Sequence, residues 1–264
     1  MTSVIIIPAR LESTRLPRKL LLRETGKPLL RHVYEQALKS CADAVNVIGD
    51  CKAMTEEIAK FVPPGSYATS LIEHPNGTSR AAEAWEEMIA DFRPDGGDMD
   101  TICILQGDVP EIAPALIDQV ITELEQHLEW DCATAAVGDY RTDTVARASP
   151  SPHVVKVQVT EGDVEDDWEA HDFARNVQAF SAEDERGHVR AWHHIGIYAY
   201  RREALLKYAA AGPCQREQDE SLEQLRALHI GLRMGVVLTD EAPAGIDTRE
   251  DYDAFAERYK KTAV

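Results

Sequence analysis

The sequence predicts an α/β protein: a mostly parallel sheet with helices on both faces, followed by a small mixed-sheet extension. Three observations predict it. Residues 3–8 are a nearly continuous β-branched run, the composition of a central parallel strand buried on both faces. From there to about residue 128, short apolar runs alternate with stretches of helical period, as βαβ units do. Beyond that the pattern shifts to strand-like runs of a more mixed sheet.

In chain order, the spacing of Leu29, Leu30, Val33, Ala37 and Leu38 predicts a helix over 28–39. A second strand follows at 45–48 and a helix at 54–62. Residues 79–92 carry Ala82, Trp85, Met88, Ile89 and Phe92 at helical spacing. The apolar run 101–105 is a strand leading into Gln106-Gly107-Asp108, and 117–128 is helical again. Strands are expected at 133–137, 154–159 and 194–200, with the acid-rich stretch 161–171 as an exposed excursion. Helices near 202–210 and 219–229, a strand at 234–238 and a helix from about Thr248 complete the chain. With no internal repeat or low-complexity linker, one compact unit is expected over 1–264.

Composition narrows the function. The 264 residues suffice for a full hydrophobic core. The formal charge of −18 opposes binding to nucleic acid or anionic lipid. No run approaches the ~18 apolar residues of a membrane span, and the opening residues read as a buried strand, not a leader. Five scattered cysteines without a C-x-x-C fit reduced thiols in a cytoplasm. Against this acidic background, Arg10, Arg15, Arg18, Lys19, Arg23, Lys27 and Arg31 face only Glu12 and Glu24 over residues 10–31. Such a cluster is either a solvated basic face or a seat for a small polyanion.

Its position favours the polyanion. The loop from Pro8 to Lys19 follows the first strand, and open α/β sheets bind ligands beyond the carboxyl ends of their strands. Arg10, Arg15 and Lys19 combine forked donors with a mobile point charge, which suits a triphosphate. The loop has neither the Walker A pattern nor the glycines of a dinucleotide fingerprint. Asp108, at the end of a strand beside this loop, is placed to hold magnesium, although Gly-Asp before a proline is also ordinary turn chemistry. Thr248 and Asp251 fit a capping box opening the last helix, and Asp247 reads equally as part of that turn. Thr78 is a candidate cap for the helix after residue 77. His193 and His194 lack a plausible zinc-ligand set, and no Ser-His-Asp set suggests itself.

The run Ile7-Pro8-Ala9-Arg10-Leu11-Glu12-Ser13-Thr14-Arg15-Leu16-Pro17-Arg18-Lys19 closely resembles the opening of the 3-deoxy-manno-octulosonate cytidylyltransferases, the CMP-KDO synthetases. Arg18 stands where that family usually has glycine. The resemblance spans nearly the whole chain, including Gln106-Gly107-Asp108, Gly245-Ile246-Asp247-Thr248 and His74-Pro75-Asn76-Gly77-Thr78-Ser79-Arg80. It implies a Rossmann-like nucleotidyltransferase of GT-A type, a three-layer sandwich. Residues 139–200 would supply a sugar-side or dimerisation subregion. CTP would be held by Ala9, Arg10, Ser13, Arg15, Lys19, Asn76, Gly77, Arg80 and Gln106. Magnesium would sit on Asp108 and Asp247; with Arg10, Arg15 and Lys19 these form the expected catalytic set.

On the sugar side, Phe173-Ala174-Arg175, His194-Ile195-Gly196-Ile197-Tyr198 and Ser221-Leu222-Glu223-Gln224-Leu225-Arg226 resemble family segments. By that resemblance Arg175, His194, Glu223 and Gln224 face the sugar acid, although a packed strand histidine and a solvated helix glutamate are the plainer readings. Val109, where the family usually has glutamate, and the run Asn176-Val177-Gln178-Ala179-Phe180 depart from the pattern. The expected function is CMP transfer from CTP to the sugar acid, by a cytoplasmic homodimer serving cell-envelope polysaccharide synthesis. The alternatives are a cytidylyltransferase for another acidic or amino sugar and a non-catalytic nucleotide-binding relative.

Overall fold

The opening apolar run is strand β1 (Thr2–Ala9), in which Val4 through Ile7 are fully buried. The computed structural model describes residues 2–86, 99–137, 154–161, 168–176, 179–180, 191–240 and 242–262. The chain divides into two compact units, Met1–Asp118 with Pro243–Val264, and Gln119–Ala242.

In the first unit β1 pairs in parallel with β2 (Ala44–Gly49) and β4 (Met99–Leu105), and β2 with the short β3 (Tyr67–Thr69), in the order β3-β2-β1-β4. The register sets Ala9 opposite Gly49 and Ile6 opposite Ile104. The segments leaving β1, β2 and β4 therefore emerge along one edge, where the loop, Asp50 and Gln106-Gly107-Asp108 lie. Helices α1 (Leu29–Ala37), α2 (Lys52–Ile58), α3 (Gly77–Ala84) and α4 (Pro114–Gln126) follow the strands, and the unit boundary falls within α4. The phosphate-type loop ends in a single 3-10 turn, Lys19–Leu21. The expected helix over 79–92 is described as far as residue 86; its remainder lies outside the described residues.

In the second unit β5 (Cys132–Val137) runs parallel to β9 (Met234–Thr239) and antiparallel to β8 (Ala191–Arg201). Strand β7 (Trp168–Ala174) is antiparallel to β6 (Lys156–Glu161) and to β9, and β6 also pairs with β8. Pairing thus runs β8-β5-β9-β7-β6 and returns to β8. Gly235 is required here: a Cβ on it would lie 2.7 Å from the ring of the buried Trp130.

Two expectations need correction. Residues 168–171 of the acid-rich stretch belong to β7, because Trp168 and Ala170 point inward while their neighbours do not; residues 162–167 lie outside the described residues. The helix expected over 219–229 is two helices after α5 (Arg202–Ala211): α6 (Gln215–Glu220) and α7 (Gln224–His229). Ser221 breaks them apart with a left-handed backbone, φ 53°. The break folds α7 back so that Arg226 makes a buried forked pair with Glu217. The last helix, α8 (Arg249–Thr262), returns to the first unit. All five cysteines are free thiols, and no described helix is long and apolar enough to cross a membrane.

Candidate active site

The cationic loop is tied down where it leaves β1. The Asp50 backbone N–H donates to the Ala9 carbonyl at 2.9 Å, and the Asp50 carboxylate accepts from the Leu11 N–H at 3.0 Å. One aspartate at the end of β2 thus fixes the chain on both sides of Arg10. The Arg10 guanidinium donates to the Pro75 carbonyl at 3.1 Å, linking the loop to the segment before α3.

At its far end the loop delivers Lys19. The stem of Lys19 is buried, and its ammonium donates to Asp108 at 2.6 Å and to Asp247 at 3.3 Å. Arg15 adds a second cation on Asp247 at 3.0 Å. Residues far apart in sequence therefore form one charged cluster. Backbone bonding sets it: the Ile246 N–H donates to the Asp108 carbonyl at 2.9 Å. The Asp251 carboxylate accepts from the N–H groups of Asp247 (3.0 Å) and Thr248 (2.8 Å), while the Thr248 hydroxyl accepts from the Asp251 N–H (3.2 Å). The expected capping box is formed, and it also holds Asp247.

The residues expected around the base converge as well. A Cβ on Gly77 would lie 3.0 Å from the Pro8 ring and 3.3 Å from the Gln106 amide nitrogen, so glycine lets the start of α3 approach both. Asn76, not Thr78, caps α3: its side-chain oxygen accepts from the Ser79 N–H at 2.8 Å. Thr78 is wholly buried as the second residue of the helix. Arg80 is buried, and its Nε and one terminal nitrogen have no hydrogen-bond partner. Burial, with Arg10 nearby, lowers its pKa, so an anion reaching it is strongly favoured. The loop before α3 is anchored by Glu83, which pairs with His74 at 2.6 Å and accepts from Ser70 and from the Leu71 N–H. Burial pulls the Glu83 carboxyl upward, but these hydrogen bonds win and hold it below its ordinary range. Ala9 is buried at the end of β1, and Ser13 is half-buried in the loop.

The four sugar-side candidates lie in the second unit. Arg175 follows β7, half-buried, and its carbonyl accepts from the ammonium of the buried Lys156 at 2.6 Å. His194 is buried: its Nε2 meets the Thr134 hydroxyl at 2.9 Å and its ring stands edge-on to Phe173. The Thr134 hydroxyl has one proton, and the Ile197 carbonyl at 2.8 Å takes it, which makes Nε2–H the donor of a neutral imidazole. Burial, then His193, pushes the His194 pKa down to about 3. Glu223 and Gln224 open α7; Gln224 is buried, and the Glu223 carbonyl accepts from the Tyr208 hydroxyl at 3.1 Å.

Residues 4–234 match the family model described as cytidylyltransferase. The chain belongs to the cytidylyltransferase family. Among its curated relatives, the 3-deoxy-manno-octulosonate cytidylyltransferase of Rhodopirellula baltica is 38% identical over 98% of both chains. That of Xanthobacter autotrophicus is 37% identical over 95% of this chain and 91% of its own. These relatives place the chain in the 3-deoxy-manno-octulosonate branch. A solved CMP-2-keto-3-deoxy-manno-octonic acid synthetase complexed with CTP superposes with a TM-score of 0.80 at 29% identity, covering 99% of this chain and all of that one. It confirms an α/β nucleotidyltransferase-like fold. A cytidylyltransferase from Leptospira borgpetersenii shares the fold at TM-score 0.61 and 15% identity, covering 99% of this chain and 87% of its own.

Three contributors escape the family motifs. Asp50 acts on the loop through backbone bonds, and its one signal is a polar residue directly after a buried strand. Lys156 is a lysine within an apolar strand pattern. Glu217, the partner that buries Arg226, carries no signal, because a surface helix offers many such acids.

Proposed function

We propose that this cytidylyltransferase moves CMP from CTP to a 3-deoxy-manno-octulosonate-type sugar acid and releases pyrophosphate. The observation that carries the reading is the ammonium of Lys19 within hydrogen-bonding reach of both Asp108 and Asp247. The similar proteins, named as 3-deoxy-manno-octulosonate cytidylyltransferases and as a synthetase complexed with CTP, support the choice of nucleotide and sugar.

The residues present fit magnesium. The two carboxylates share one cation now, so they lie no further apart than the sum of their distances to it. Among the described residues no three His, Cys, Asp or Glu groups come together as a metal cage. Two carboxylates completed by phosphate oxygens and water are the donor set magnesium prefers. When bound, magnesium supplies charge neutralisation at the α-phosphate and a more acidic anomeric hydroxyl. Asp108 and Asp247 would hold it. Arg10, Arg15 and Lys19 bind and orient the triphosphate, following the charge that builds on the departing pyrophosphate. The anomeric oxygen of the sugar bonds to the α-phosphorus, the bond from that phosphorus to the bridging oxygen breaks, and the hydroxyl proton passes to solvent. No side chain acts as nucleophile.

Gln106, Asn76, Gly77 and Arg80 take the nucleoside side, with Ala9 and Ser13 lining the loop. The sugar carboxylate falls to Arg175, and its hydroxyls to His194, Glu223 and Gln224. The GT-A form of the fold, a homodimer, a cytoplasmic location and service to cell-envelope polysaccharide belong to the same reading. The test is pyrophosphate release from CTP with magnesium and 3-deoxy-manno-octulosonate, beside a panel of other sugar acids. Turnover with 3-deoxy-manno-octulosonate is expected; turnover only with a different sugar would redirect the acceptor, and none with any sugar would refute the transferase.

A further inference from the structure

Beside the 3-10 turn that presents Lys19 lies a groove of about 540 Å³, lined in part by Arg18, Leu21, Leu22, Arg23, Glu57 and Lys60. Lys19 itself, engaged with Asp108 and Asp247, does not line it. In a chain of net charge −18, this groove gathers three cations around a single carboxylate.

That carboxylate spaces the cations without consuming them. One oxygen of Glu57 accepts from Arg23 at 2.5 Å and the other from Lys60 at 2.5 Å. The Lys60 bond leads the effects that hold the Glu57 carboxyl below its ordinary range, so it stays ionised. An ammonium has three donors and a guanidinium five, so both cations keep donors for a further ligand. Leu21 and Leu22, half-buried, give the groove an apolar side.

Arg18 is the unusual member. Its backbone is left-handed, φ 51° and ψ 34°, a conformation that is strained for a side-chain-bearing residue and free for glycine. The backbone itself closes the 3-10 turn, the Arg18 carbonyl accepting from the Leu21 N–H at 2.8 Å, but that bond needs no side chain. The Arg18 side chain is 66% exposed, and its ion pair with Glu12 spans 3.8 Å, beyond a hydrogen bond. A turn that glycine would form without strain is formed here by arginine, which points to a task for the side chain.

We propose that this groove is an accessory site for a small phosphate anion, with Arg18 as its principal ligand and Arg23 and Lys60 as supporting donors. A forked guanidinium, a second guanidinium and an ammonium around an open groove are the donors an inorganic phosphate or diphosphate takes. The site goes beyond the transfer reaction. Its anion has two sources, the diphosphate that the reaction releases and phosphate of the medium.

Isothermal titration at low salt, with neither CTP nor acceptor present, tests the site apart from catalysis. Inorganic pyrophosphate and inorganic phosphate are each titrated into a Lys19→Ala protein, where the central cluster has lost the cation its two aspartates share, and into the same protein carrying Arg18→Gly or Lys60→Gln. Binding is expected to survive Lys19→Ala. Arg18→Gly should then weaken it about ten-fold, and Lys60→Gln about three-fold. The Tm of Arg18→Gly should not fall, since glycine takes the left-handed backbone freely. Pyrophosphate at least ten-fold tighter than phosphate supports the site and assigns it to the product; equal affinities support it and assign it to free phosphate. Unchanged pyrophosphate affinity in both groove variants, or loss of all anion binding in Lys19→Ala alone, overturns the proposal. A failed transfer assay leaves every arm readable.

Discussion

Lys19–Asp108 in the first unit and Arg226–Glu217 in the second are both ion pairs of 2.6 Å, yet they do opposite work. Asp108 keeps 31% of its side chain exposed, whereas the exposures of Arg226 and Glu217 are 2% and 7%. A carboxylate that water reaches can trade its cation for another at little cost. A forked pair shut away from water cannot, because parting it strands a buried charge. Arg226 also stacks over the Tyr208 ring at 4.4 Å, and Tyr208 in turn holds the Glu223 carbonyl. In the proposed mechanism the open pair serves the chemistry; the closed one holds the second unit together.

The largest expected effect strikes the open pair. Asp108→Asn should cut turnover by about 10²–10³-fold, the scale of one lost transition-state contact, while Tm barely moves. Steady-state pyrophosphate release beside a thermal melt reads both, and near-normal turnover would remove the metal role. The mirror image is Arg226→Met, which should lower stability by about 3–5 kcal/mol because Glu217 is left charged and buried. Adding Glu217→Leu should restore most of that loss, by denaturant unfolding. A single variant as stable as the parent would mean that the pair is no frame.

Acid sharpens the contrast, since each unit buries one strongly perturbed histidine. Burial, with Lys27 the next cause, pushes His32 down to about 4, and His194 falls to about 3. Both folded values lie below the unfolded one, so the unfolded chain binds more protons between them. Stability from each is fully present above pH ~6.5 and drains as pH falls toward the folded value, by up to ~1.4 kcal/mol per pH unit and histidine. Chemical unfolding from pH 7 to 4.5 should show that slope; His32→Gln and His194→Gln should each flatten it, and a profile that neither changes would contradict their neutral burial.

The same contrast explains what was legible in the sequence. The loop, Asp108 and Asp247 stand out because exposed charges beside apolar strands are conspicuous, and the structure brings Arg15 and Lys19 together with both aspartates. The parallel strands of the first unit were legible from their β-branched runs. In the second unit the helix read over 219–229 hid a left-handed Ser221, because helical period survives a one-residue reversal. Strand β7 was hidden because its outward Glu169 and Asp172 continue the acidic run before it. Asp50 was illegible for a third reason: its work is done on backbone groups, which carry no letter of their own.

The smallest expected effect lies where the two kinds of pairing meet, at Asp251. This half-buried carboxylate touches no proposed ligand, yet its bonds to the N–H groups of Asp247 and Thr248 hold the segment that presents Asp247. Burial raises its pKa, but those hydrogen bonds, helped by Lys19, bring it below the ordinary value. Its stabilisation is therefore present at neutral pH and lost only as the medium falls through that depressed value. Asp251→Ala should cost about 0.5–2 kcal/mol as a lost helix cap. If Asp251 also aims Asp247, the variant needs more magnesium for half-maximal turnover, by about three- to ten-fold, with the KM for the sugar acid unchanged. Asp251→Asn keeps one accepting oxygen and should recover most of the stability. A stability loss with an unaltered magnesium requirement would confine Asp251 to the cap and leave the backbone bond from Ile246 to Asp108 as what sets the spacing of the two aspartates.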